Sequence, residues 1–138
     1  MNKIIFCFFL SFCLNVFTHP DTVPKKYSDQ LTHLPSPLPD RVVLTWNDDP
    51  ASTQAVNWRT DTSVLEGVAQ IAIANSNGRM LNPKEFKAET TYFKSDINEA
   101  HYHSVTFRNL KSDTLYAYRV GDGVNWTEYY HFKTASSE

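Results

Sequence analysis

Cysteine is all but missing from this chain of 138 residues. There are two, Cys7 and Cys13, and both sit in one apolar run near the start. Nothing beyond that run can be held by a disulfide or a thiolate metal site. Basic clusters and acidic tails are also absent, and the formal charge is only −2. That balance argues against a nucleic-acid footprint and against a polybasic membrane patch. No apolar stretch reaches the roughly 20 residues of a comfortable membrane span. The chain holds no Gly-rich phosphate loop, no Gly-x-Ser-x-Gly elbow and no His-Glu-x-x-His helix motif. Helical periodicity of useful length is missing too, which excludes a helix bundle.

Aromatic side chains are plentiful: 9 Phe, 7 Tyr and 3 Trp within a hydrophobic share of 41%. They are ample for the core of one ordinary domain. The first residues read as a targeting segment. Lys3 supplies a positive start, and residues 4–14 form an apolar core of the length a secretory signal needs. Cleavage is expected after Val16-Phe17-Thr18, which makes residues 1–18 a signal peptide and the product secreted or extracytoplasmic. Leu10-Ser11-Phe12-Cys13 has the outline of a bacterial lipobox, but the bulky Phe12 before the cysteine fits that lipoprotein processing poorly. Residues 19–39 follow as a proline-rich linker, with Leu34-Pro35-Ser36-Pro37-Leu38-Pro39 favouring extended polyproline II. A spacer, a docking strap and an exposed lead-in all fit it, the lead-in best.

From Asp40 the pattern turns to alternation. Val42, Leu44 and Trp46 form one row, and Asn47-Asp48-Asp49-Pro50 breaks the strand. Further strands are expected over 53–59, with Val56 and Trp58 on one face, and over 66–74, carrying Ile71 and Ile73 before the turn at 75–78. Residues 79–88 read as a loop or a short strand. Strands then follow over 90–94, over 102–110 with His103, Val105 and Phe107 in one row, and through Tyr116, Tyr118 and Val120. The last, over 128–134, points Tyr130 and Phe132 inward. Seven short strands describe an all-β immunoglobulin- or fibronectin-III-like sandwich. Its expected core residues are Trp58, Phe107, Leu110, Tyr116, Tyr118 and Phe132. Tyr116 stands where a tyrosine corner places its ring, with the hydroxyl returned to nearby backbone.

Chemistry-bearing residues are few, and most have a plainer explanation. His101 and His103 share a strand face, a spacing that can bind zinc or copper, but their row continues into the core through Val105 and Phe107. A satisfied, neutral core histidine is the expectation for His103. Asp48 and Asp49 could pair as carboxylates, yet beside Pro50 they suit a turn. Asp113 and Asp122 likewise fall at turns. Among the tryptophans, Trp46 and Trp58 are expected in the core. Trp126 is the one whose burial the pattern does not give, which makes it a candidate contact residue. Asn125-Trp126-Thr127 is a glycosylation sequon, with Asn125 as the acceptor. No catalytic and no metal-ligating residue is assigned.

The stretches Arg41-Val42-Val43-Leu44-Thr45-Trp46-Asn47-Asp48-Asp49-Pro50 and Ala55-Val56-Asn57-Trp58-Arg59-Thr60 carry a resemblance. So do Tyr102 through Leu110, Thr114-Leu115-Tyr116-Ala117-Tyr118-Arg119-Val120-Gly121-Asp122-Gly123, Trp126-Thr127 and Phe132-Lys133-Thr134-Ala135. Over residues 40–135 the chain resembles the fibronectin-III-like N-terminal domain of purple acid phosphatases, leaving 136–138 as a tail. The resemblance implies a parent acid phosphatase that hydrolyses phosphate esters. Its dinuclear centre, iron with iron, zinc or manganese, would sit in a C-terminal calcineurin-like metallophosphoesterase domain joined in cis. Two metals about 3.5–4 Å apart would there activate water and clamp phosphoryl oxygens. The family's ligand motifs, Gly-Asp-x-x-Tyr and Gly-Asn-His, do not occur here. His101-Tyr102-His103 copies its His-x-His only within a sandwich strand, and Gly121-Asp122-Gly123 lacks the following tyrosine. The expectation is therefore a secreted, non-catalytic module without its own cofactor, bracing or orienting a catalytic domain or joining dimer contacts. The alternative is a freestanding extracellular module that binds a protein or glycan. No nucleic-acid partner is expected.

Overall fold

The computed structural model describes residues 28–76 and 80–137. The signal segment with Cys7 and Cys13, the linker as far as residue 27, and half of the turn read at 75–78 lie outside them. Alternating side chains over short runs bounded by Asn, Asp, Gly and Pro produce strands, and the described residues form eight. These are β1 (Asp40–Thr45), β2 (Gln54–Thr60), β3 (Val68–Ile73), β4 (Lys84–Lys87), β5 (Glu89–Lys94), β6 (Glu99–Phe107), β7 (Leu115–Gly121) and β8 (Tyr130–Lys133). They pair antiparallel in two sheets, ordered β1-β2-β6-β5 and β4-β3-β7-β8. Burying one face of each sheet against the other gives a β-sandwich. The strand beyond the seven expected is β4, which pairs with β3 from Val68↔Lys87 to Ile71↔Lys84. Its Lys-Glu-Phe-Lys sequence is too polar for alternation to mark, and only Phe86 turns inward.

The core lies between the inner rows of the sheets. Val56 and Trp58 of β2, Val105 and Phe107 of β6, Ala69 and Ile71 of β3, and Tyr116, Tyr118 and Val120 of β7 are all buried, with Phe132 of β8. Leu110 is partly buried against them. Phe107 meets Phe86 edge-on at 5.3 Å and Tyr118 at 6.4 Å, so aromatic contacts tie one sheet to the other. Trp58 is fully buried, and among the described residues its Nε1 has no hydrogen-bond partner.

The connection from β6 to β7 is a tyrosine corner. The Lys111 backbone N–H donates to the Tyr116 hydroxyl at 2.8 Å. Asn109 and Asp113 take left-handed backbone angles in the same corner, a conformation those two residue types tolerate.

Two expectations are corrected. Trp46 is 71% exposed rather than core, because β1 ends at Thr45 and Trp46 lies past the end of the strand whose row it was expected to continue. The stretch before β1 is more than a free lead-in. One helical turn, α1 (Asp29–Thr32), precedes a strap that lies on the outer face of the β1-β2-β6-β5 sheet. The His33 carbonyl accepts from Arg59 Nη1 at 3.1 Å and Asn98 Nδ2 at 3.0 Å, and the Ser36 carbonyl from Asp61 N at 2.8 Å. Pro35 is buried. Under the strap Arg59 makes a bidentate pair with Asp40, through Nε at 2.8 Å and Nη2 at 2.5 Å. Where β1 leaves the strap, Arg41 and Val42 together face Trp58 in a bulge, with Arg41 at φ 49°.

Candidate functional site

The histidine pair is the first arrangement with metal-binding spacing. β6 carries His101 and His103 on its inner face. The Thr60 hydroxyl donates to the Asp61 carbonyl at 3.0 Å, so His103 Nε2–H donates to Thr60 Oγ1 at 2.8 Å. His103 Nδ1 then accepts from the Thr90 hydroxyl at 2.9 Å. The ring also stacks on Trp58, with centroids 5.2 Å apart. Burial, with a smaller contribution from His101, pushes its pKa down to about 4. His101 Nδ1–H donates to the Val64 carbonyl at 2.7 Å. Both nitrogens of His103 are thus committed to hydroxyls, and no group of three metal-binding side chains gathers anywhere among the described residues.

Asp48 and Asp49 are exposed and do not act together. Asp48 is held below its ordinary value chiefly by Arg108, whose Nη1 donates to it at 2.7 Å. Asp49 is lowered chiefly by the Ser52 hydroxyl at 2.7 Å, and it also accepts from Ala51 N at 3.0 Å. These bonds shape the turn between β1 and β2.

The loop after β7 gathers Asp122, Asn125 and Trp126. Asp122 accepts from Val124 N at 2.8 Å, Asn125 N at 2.5 Å and Asn125 Nδ2 at 2.9 Å. Partial burial works against its charge, but those bonds win and hold the carboxyl below its ordinary value. Thr127 Oγ1 accepts from Val120 N at 3.2 Å. Both polar side chains of the sequon therefore already serve the loop. Trp126 is half-buried, with the Arg119 guanidinium 4.3 Å from its ring centre and 5.3 Å from that of Tyr129. Arg119 Nε donates to Gln70 Oε1 at 2.9 Å, and Gln70 Nε2 to Glu85 Oε2 at 2.9 Å. A polar stripe thus crosses the outer face from β4 to the loop. Sequence reasoning missed Gln70, Glu85 and Arg119. Register alone joins them, through Gln70↔Arg119 and Gln70↔Glu85.

Comparison with known proteins gives the family. The sequence profile of the purple acid phosphatase N-terminal domain matches residues 39–134. The chain belongs to that family. Membership accounts for the whole sandwich, from the end of the strap through β8. No curated protein matches the chain. Among solved structures, Astrotactin-2, described as a conserved vertebrate-specific and perforin-like membrane protein involved in neuronal development, is similar in fold. The TM-score is 0.52 at 14% identity, over 75% of this chain and 22% of that one. At that identity the likeness concerns the fold alone. The purple acid phosphatase module here spends its Gly121-Asp122-Gly123 on a turn, with Gly123 at φ 93°, and its His-x-His on the core.

Proposed function

We propose that this chain is the non-catalytic N-terminal module of a secreted purple-acid-phosphatase-like metallophosphoesterase. The observation that carries the reading is the family match over 39–134, which spans all eight described strands. The acid-phosphatase chemistry and its dinuclear metal belong to a catalytic domain in cis. The module braces or orients that domain, as a rigid sandwich with its own core can. Among the described residues no helix is long and apolar enough to cross a membrane. The freestanding binding module is disfavoured by Arg119, which already lies over the ring of Trp126.

The test is the reading frame after Glu138. Continuation into Gly-Asp-x-x-Tyr and Gly-Asn-His, with hydrolysis of a chromogenic phosphate ester by the extended product, is the expected result. A stop codon at that point would overturn the reading.

A further inference from the structure

One end of the sandwich is left open. Ile73 pairs with Tyr116 and follows Ile71 by two residues, so it faces the opposite sheet. It is nevertheless 50% exposed. A core-facing side chain half open to water marks a gap between the sheets, and a cavity of about 430 Å³ lies there. Ile71, Ile73, Leu81, Phe86 and Leu110 give it an apolar wall. Lys84, Arg108 and Lys111 stand around it as cations. Arg108 is partly neutralised by Asp48, whereas among the described residues neither Lys84 nor Lys111 forms a salt bridge.

Polypeptide following β8 leaves from the same end. Ala135 N donates to the Pro50 carbonyl at 3.0 Å, and Asp113 N to the Ala135 carbonyl at 3.0 Å. Ser112 Oγ donates to Ser137 Oγ at 3.5 Å, one residue along the chain from Lys111. Anything joined after residue 137 therefore starts beside the cavity. Leu81 and Trp46, 61% and 71% exposed, add apolar surface at this end.

We propose that this open end is the docking face for the domain that follows the module. The cavity takes an apolar side chain of that domain, flanked by carboxylates that meet Lys84 and Lys111. A short tether gives such a segment a high effective concentration, so a small interface suffices. A second copy of the chain suits the surface less, because self-pairing would bring like cations together. The inference rests on the reading above that a catalytic domain follows in cis.

The test is hydrogen exchange at residues 71–75 and 108–111, in the chain as given and in the chain extended through its reading frame. Extension is expected to slow those amides about tenfold or more. Leu81→Glu and Lys84→Glu, both at exposed positions, should each reduce that protection while leaving the urea midpoint of the unextended chain unchanged. Equal exchange in the two chains, with the catalytic motifs present downstream, would overturn the docking inference alone. A missing downstream domain would overturn the functional reading and this inference with it. Concentration-dependent dimers protected at the same amides would assign the face to a second copy and overturn it too.

Discussion

The two ends of this sandwich are built from the same alternating rows and finished in opposite ways. At one end the loop between β2 and β3 folds inward. Val64 is buried, its carbonyl holds His101, and Gly67 lies so close above His103 and Trp58 that a Cβ would stand 2.6–2.8 Å from their rings. At the other end Ile73 and Leu81 face a gap, and the chain passes out beside them. A closed end contributes stability, while an open one keeps apolar surface available to a partner. Under the docking proposal, the interaction surface lies where packing stops.

The sharpest way to break the contrast is to truncate one core side chain at each end. Trp58→Ala should cost about 3–5 kcal/mol in urea unfolding. Ile73→Ala, half exposed already, should cost about 1 kcal/mol or less. Equal losses would mean the open end is packed as tightly as the closed one.

Acid should act on the closed end next. The folded-state pKa of His103 lies at about 4, below the 6.5 of the unfolded chain, so the unfolded state binds more protons between those values. Its contribution is complete above pH 6.5, declines as pH falls, and levels off below pH 4. At 1.36 kcal/mol per unit the loss is on the order of 3 kcal/mol. Comparing pH profiles of the chain and His103→Gln isolates it. Parallel profiles would show that His103 does not titrate as a buried neutral ring.

Glycine gives a smaller contrast within the closed half. Gly67→Ala should cost about 1–3 kcal/mol through overpacking on the His103–Trp58 stack. Gly123→Ala meets nothing within 4 Å and carries only the strain of φ 93°, about 1 kcal/mol. Thermal unfolding of both variants orders them, and a reversed order would place the close approach elsewhere. A similarly small effect is expected at the corner. Tyr116→Phe removes the hydroxyl that accepts from Lys111 N, for about 1 kcal/mol. A neutral result in chemical denaturation would show that water replaces it.

Much of the fold was legible because β alternation is a local signal. Val56 and Trp58, Val105 and Phe107, and Tyr116, Tyr118 and Val120 stand in their sequence as they stand in space. β4 was not, since Lys84-Glu85-Phe86-Lys87 is made a strand by its partner β3. Trp46 misled because a row says which way a side chain faces and nothing about where the strand ends, and β1 stops at Thr45. Prolines suggested an exposed lead-in, while the bonds holding the strap come from Arg59 and Asn98, far along the chain. The open end could not be read at all. It arises from where β1, β3, β6 and β8 stop relative to one another, and no single stretch records that.

The central claim is that this sandwich accompanies a phosphoesterase and performs none of its chemistry. It is tested most directly by the chain of 138 residues alone, supplied with iron, zinc or manganese and a chromogenic phosphate ester at mildly acidic pH. Turnover no faster than the metal-only control is the predicted result. Hydrolysis above that control, abolished by His101→Ala or His103→Ala in protein that remains folded, would contradict it.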